Sequence, residues 1–176
     1  MKKRLNKNNT LIHNSLYPYY KKKRVEKPYK ALLGIGGNIG DMVRRFNHLF
    51  IFFRRSPYIE IVETAPILKN PPFGYLKQDD FYNSLVFVKT CLKPKALLRY
   101  ILRIEKKFGR ERSFQDAPRT LDIDMIFYEN DTINSVDLTV PHPSWKQRDS
   151  VLVPLSYMKS SYTKEKYGKR FRYNNR

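Results

Sequence analysis

Between Leu121 and Tyr128 the chain alternates with a period of two. Leu121, Ile123 and Met125 fall on one face, and Asp122 and Asp124 fall together on the other. The pattern predicts a strand that buries one face and carries carboxylates on the opposite one. Two carboxylates at i and i+2 on a strand lie about 6.5–7 Å apart at their Cα atoms. At an effective dielectric of about 20 their repulsion is on the order of 2–3 kcal/mol. Solvent, an arginine or a divalent cation must answer that cost. Arg119 stands just ahead of the pair, which makes Asp122-Ile123-Asp124 a candidate magnesium and phosphate site. The competing reading is a solvated strand face with one incidental ion pair.

A chain of 176 residues suits one domain with a proper core. Its formal charge of +19 is unusual, and most of it sits at the ends. Residues 1–30 carry +9 and residues 159–176 carry +6, which leaves +4 for the 128 residues between. Residues 1–29, rich in Lys, Asn and Tyr, read as a basic, mobile extension, and 161–176 as a similar tail. Basic runs mixed with Tyr and Phe suit nucleic acid or an anionic surface, but solvated tails are the favoured reading. The single cysteine, Cys91, excludes an intramolecular disulfide and suits a reducing compartment. The Lys-rich start has no apolar stretch behind it, and no apolar run approaches a membrane span of about 20 residues. A monomeric cytoplasmic protein with no membrane partner is expected.

Residues 30–160 read as the functional domain. Lys30–Ile35 predicts a buried strand running into Gly36-Gly37-Asn38-Ile39-Gly40. Asp41 is a plausible N-cap for a helix that places Met42, Phe46, Leu49, Phe50 and Phe53 on one face. A second strand spans Tyr58–Thr64, a proline-rich loop Ala65–Asp80, and a third strand Phe81–Thr90. Pro94 starts a second helix with Leu97, Leu98, Ile101, Leu102, Ile104, Glu105 and Phe108. The Asp strand follows, then a small hairpin over Ile133–Val140 and an apolar closing segment, Val151–Met158. The order strand, helix, strand, strand, helix, strand is that of a split βαβ. The expected fold is therefore an α+β, ferredoxin-like βαββαβ sandwich, with helices on one face of an antiparallel sheet.

The glycine loop fits neither a dinucleotide fingerprint nor a P-loop. Ile39 stands where the third glycine belongs, and no Gly-Lys-Ser/Thr follows. Four segments together carry a resemblance: Gly36–Gly40, Phe81-Tyr82-Asn83, Pro118-Arg119-Thr120-Leu121-Asp122-Ile123-Asp124, and Leu138-Thr139-Val140-Pro141-His142. In order and spacing they resemble the 6-hydroxymethyl-7,8-dihydropterin pyrophosphokinases of folate biosynthesis, from about residue 30 to 158.

The resemblance implies transfer of a pyrophosphoryl group from ATP to the pterin hydroxymethyl oxygen, with release of AMP. It implies two magnesium ions, with Asp122 and Asp124 as their ligands. It makes Arg110, Arg119, Asp122 and Asp124 catalytic. Leu102, Glu105, Arg110, Arg112, Thr139, His142 and Arg148 match ATP-contacting positions. Thr64, Ala65, Ile67, Phe81 and Asn83 match pterin-contacting ones, with Phe81 stacking and Asn83 reading the amide-like edge. Glu105 beside Lys106 and Lys107 reads equally as a surface charge cluster.

The chain departs from the family pattern in places. Its loop Ser113–Ala117 is one residue short and lacks a Trp, for which Phe114 is a candidate lid. Ser150 replaces the second stacking Phe, so the pterin is held from one side or by Trp145. Pro143 replaces an aromatic, and Asp137 a basic residue. The alternative is an RNA-binding module of the same fold. Its Lys/Arg-Gly-aromatic signature is absent from the third strand, Tyr82–Val88.

Overall fold

A computed structural model describes residues 1–21, 26–72, 74–111 and 117–159. The strands β1 (Lys2–Arg4), β2 (Thr10–Ile12), β3 (Tyr19–Tyr20) and β4 (Tyr29–Gly37) lead into helix α1 (Met42–Arg54). Strands β5 (Ile59–Thr64), β6 (Ile67–Asn70) and β7 (Phe81–Thr90) precede helix α2 (Pro94–Lys107). The chain ends in β8 (Asp122–Tyr128), a small β9–β10 hairpin (Ile133–Asn134 and Thr139–Val140), one 3-10 turn (Trp145–Gln147) and α3 (Asp149–Ser156). Among the described residues no helix is long and apolar enough to cross a membrane.

The sheet is antiparallel, in the order β1-β2-β6-β7-β4-β8, with β5 paired to the far half of β7 and β3 paired to β5. Its centre is the expected βαββαβ sandwich. α1 begins where the Asp41 side chain accepts from the Arg44 N–H at 3.0 Å, and α2 begins at Pro94. Their apolar faces (Phe46, Leu49, Phe50 and Phe53; Leu97, Ile101 and Ile104) bury Ala31, Leu33 and Ile35 of β4, Ile123 and Met125 of β8, and Leu121 just ahead of β8.

The opposite face is covered by α3. Val151, Leu155 and Met158 pack there with Leu32, Leu85, Phe87 and Ile126. A register shift between Leu32 and Leu33 switches the parity of β8, so that Ile126 and Phe127 join this second layer while Met125 stays in the first. Most of the apolar closing segment Val151–Met158 thus lies in a helix, α3, over the face left open by α1 and α2.

Two segments differ from their sequence reading. Residues 1–29 were expected as a mobile extension, yet residues 1–21 form strands and bury fully Leu11 and Tyr17. The Tyr17 hydroxyl donates to the Phe46 carbonyl at 3.0 Å, and its ring lies 6.0 Å and 6.1 Å from those of Phe46 and Phe50. The gain in burial orders a stretch whose own propensity is weak. The proline-rich loop Ala65–Asp80 also contains a strand, β6, which pairs with β7 on one side and β2 on the other.

Candidate active site

Register across the sheet builds the floor of a cleft. Directly opposed residues of antiparallel strands point to the same face. Asn83 of β7 faces Gly36 of β4, and Gly36 faces Asp122 of β8. One step along, Leu85 faces Gly34 and Gly34 faces Asp124. Asn83 and the carboxylate pair thus stand on one surface, two strand spacings apart (about 9–10 Å), with glycine between them. A side chain at Gly36 would fill that gap, for its Cβ would come to 2.8 Å from Asn83 Oδ1.

The glycine loop locks against the segment ahead of the Asp strand. A Cβ on Gly37 would lie 2.8 Å from the Thr120 carbonyl oxygen and 3.0 Å from that of Arg119. Asn38, buried, ties three segments. Its N–H donates to the Arg119 carbonyl at 3.0 Å, and its Oδ1 accepts from the Arg119 N–H at 2.9 Å. Its Nδ2 donates to Gln78 Oε1 at 2.9 Å and to the Asp79 carbonyl at 3.1 Å. Sequence alone marks the glycines and assigns Asn38 no role; only the fold brings its partners within reach.

Around the carboxylates the charges are paired. Arg110 Nη1 lies 2.5 Å from Asp122 Oδ1 and also bonds Glu105, while Arg119 Nη1 is 3.3 Å from Asp122 Oδ2. The arginine answer to the repulsion is therefore present at Asp122. Asp124 is pushed up to about 6, first by burial and then by the neighbouring Asp122, against the opposing pull of Arg148, Arg110 and Arg119. Glu105 is pushed up to about 7 by burial, although the Ile123 N–H donates to its Oε1 at 2.7 Å and Arg110 stabilises its charge. Glu105 is 2% exposed, so it belongs to the site network and not to a surface cluster with Lys106 and Lys107.

The cleft of about 290 Å³ is lined by Phe81, Asn83, Arg119, Asp122, Asp124, His142 and Arg148, all expected from sequence, and by Asn70, Pro71, Pro72 and the first turn of α3. The Asn83 amide donates to Asn70 Oδ1 at 2.8 Å. The Arg119 guanidinium lies 5.1 Å over the Phe81 ring. His142 Nδ1 accepts from the Ser144 N–H at 3.3 Å, which assigns its proton to Nε2. Burial, helped by Arg148, lowers its pKa against an opposing Asp122, so His142 is a neutral donor at pH 7.

Other expected residues stand elsewhere. Thr64, Ala65 and Ile67 are buried and do not line the cleft. The Thr64 hydroxyl is used by the amino-terminal segment, donating to the Leu16 carbonyl at 2.6 Å and accepting from the Tyr19 N–H at 2.9 Å. The Ala65 carbonyl accepts from Ser84 Oγ at 3.0 Å. Leu102 and Thr139 are exposed, away from the cleft lining. Trp145 is not a second stacking group: it lies outside the cleft lining and packs edge-on against Phe127 at 5.0 Å. Ser150 does line the cleft. Arg112, Phe114 and the tail 161–176 lie outside the described residues.

The donor set fits magnesium. Two adjacent carboxylates, one of them with its proton affinity raised by burial and a like charge, offer hard oxygen ligands to a divalent ion that would relieve the repulsion. A ferredoxin-like sheet with such a pair ringed by arginines and a histidine defines an α+β enzyme of phosphoryl-group transfer.

The family model for 7,8-dihydro-6-hydroxymethylpterin-pyrophosphokinase (HPPK) matches residues 32–160. A 2-amino-4-hydroxy-6-hydroxymethyldihydropteridine pyrophosphokinase of Helicobacter pylori is 38% identical over 156 residues, covering 88% of this chain and 96% of its own. Those of Campylobacter jejuni and Bacillus subtilis are 37% identical over 139 residues and 32% over 135. They cover 79% and 77% of this chain, and 88% and 81% of their own. The chain belongs to the HPPK family and is a pyrophosphokinase of folate biosynthesis. The RNA-binding reading is not favoured.

Proposed function

We propose that the cleft transfers the terminal pyrophosphoryl group of ATP to the hydroxymethyl oxygen of 6-hydroxymethyl-7,8-dihydropterin and releases AMP. The observation that carries the assignment of the two ends is the row Asn83–Gly36–Asp122. A flat ligand with an amide-like edge fits the Asn83 and Phe81 end, where the Asn83 amide can donate and accept. A polyphosphate fits the carboxylate end, where Arg110, Arg119, Arg148 and His142 supply donors for its oxygens. The glycine row leaves room for the reacting groups to meet between them.

Two magnesium ions, held by Asp122 and Asp124, would supply charge neutralisation for the phosphate oxygens and a template for alignment. The chain's own residues do the rest. Phe81, Asn83 and Asn70 fix the alcohol, so that the attack becomes effectively intramolecular. Glu105 holds Arg110 beside the carboxylates, and Asn38 holds the Arg119 backbone. Both guanidiniums are thereby placed where negative charge builds on the transferring group. The protein acts on these small molecules as a monomer, and its single cysteine suits the cytoplasm.

Calorimetric titration with a non-hydrolysable ATP analogue tests the site assignment. Binding should require magnesium in the wild type, and Asp122→Asn should lose the magnesium dependence. Equal uptake with and without a chelator would refute it.

A further inference from the structure

We infer that the amino-terminal hairpin is part of the substrate site's scaffold, and that Asn9 is a positioning residue for the alcohol-binding end of the cleft. The inference rests on the cleft assignment above and adds an element to it.

The floor row continues beyond Asn83. Leu68 of β6 faces Asn83, and Leu11 of β2 faces Leu68. The hairpin therefore widens the cleft-bearing sheet by two strands. On this added floor Leu11 and Leu68 form a fully buried cluster with Val153 of α3, against which Leu5 packs. Without β2, Val153 would lose its contact with Leu11.

A polar tie completes the brace. Asn9 is 4% exposed, and its Nδ2 donates to Asp149 Oδ2 at 3.3 Å. The turn that presents it is fixed from both sides. The Asn9 N–H donates to Asn6 Oδ1 at 2.7 Å, and the Asn9 carbonyl accepts from the Leu5 N–H at 2.9 Å. The hairpin is closed below by the His13 N–H on the Met1 carbonyl at 2.8 Å and by the amino terminus on the His13 carbonyl at 2.9 Å.

The two elements the hairpin holds both contribute to the lining of one cleft. β6 delivers Asn70, whose Oδ1 orients the Asn83 amide. Asp149 opens α3, between Arg148 and Ser150, both in the cleft lining. The hairpin pairs with the first wall through backbone and grips the second through Asn9. Loosening that grip should widen the space between Asn83 and Ser150, where the chain has no second aromatic ring to hold a flat ligand.

The test uses the full chain and a reciprocal exchange. Asn9→Asp opposes two carboxylates, while Asn9→Asp with Asp149→Asn restores the hydrogen bond with donor and acceptor swapped. The first should raise KM for the pterin alcohol about five- to tenfold, the scale of one typical net hydrogen bond. Its kcat should stay within about twofold, and its KM for ATP should rise less than its KM for the alcohol, because Arg148 stands beside Asp149. The exchange should bring KM for the alcohol below that of either single variant, Asn9→Asp or Asp149→Asn, since Asp149 itself lines the cleft. Asn9→Ser, which removes the reach without adding charge, serves if Asn9→Asp does not fold, and should shift the same constant. An unchanged KM in a folded single variant, no recovery in the exchange, or a fall in kcat alone would overturn the inference. Arg148→Ala is the control for the cleft itself. If its KM for ATP does not rise, the site assignment fails, whatever Asn9 does.

Discussion

Replacing Asp124 with Asn should stabilise the metal-free protein while abolishing turnover. Asp124 is raised from the ordinary 3.8 to about 6, by burial foremost and by Asp122 next. The folded state therefore holds this proton more tightly than the unfolded state. Its stabilising effect is complete below about pH 4 and is lost as pH rises through about 6. At pH 8 the ionised carboxylate costs the fold an amount on the order of 2–3 kcal/mol, at about 1.4 kcal/mol per tenfold change in proton affinity. Asn keeps the shape and removes the charge. With a chelator present at pH 8, the variant should gain about 1–3 kcal/mol, read as a Tm increase of roughly 3–8 °C for a chain of this size. The gain should shrink toward zero at pH 4. Magnesium with a non-hydrolysable nucleotide should then stabilise the wild type and leave the variant unmoved. Paired melts at pH 4, 6 and 8 decide the matter. A variant less stable than wild type at pH 8, or a difference independent of pH, would refute the reasoning.

Gly36→Ala should act at the other end of the floor. Its Cβ would press on Asn83 Oδ1 from 2.8 Å, so the amide must turn away from Asn70. KM for the pterin alcohol should rise at least about tenfold, with a smaller change for ATP, as steady-state kinetics would show. Tyr17→Ala tests whether the amino-terminal segment is part of the folded unit. Removing a fully buried ring and its bond to Phe46 should cost about 3–5 kcal/mol in urea unfolding, and a loss below about 0.5 kcal/mol would contradict the burial described.

The centre of the fold was legible because its elements carry their own periodicity. Phe46, Leu49, Phe50 and Phe53 announce α1, and the alternation from Leu121 to Met125 announces β8 and sets its carboxylates on one face. The amino-terminal strands gave no such signal. β1 and β2 are three residues each and β3 two, too short to show a period, and β1 exposes every side chain. β6 lies between Pro66 and Pro71, which made its segment read as loop. Among the site residues, those facing the cleft from long strands or from motif segments were found. Asn38, Asn70 and Asp149 were not, since their value lies in partners 40 to 140 residues away or in register between strands. Thr64 shows the reverse: the residue type invites a ligand contact, but the amino-terminal segment already uses its hydroxyl.

The most direct measurement is the identity of the nucleotide product. With ATP, magnesium and 6-hydroxymethyl-7,8-dihydropterin, the wild type should form AMP and the pterin diphosphate in equal amounts, and Asp122→Asn should form neither. ADP as the product, or undiminished AMP formation by the Asp122→Asn variant, would contradict the account.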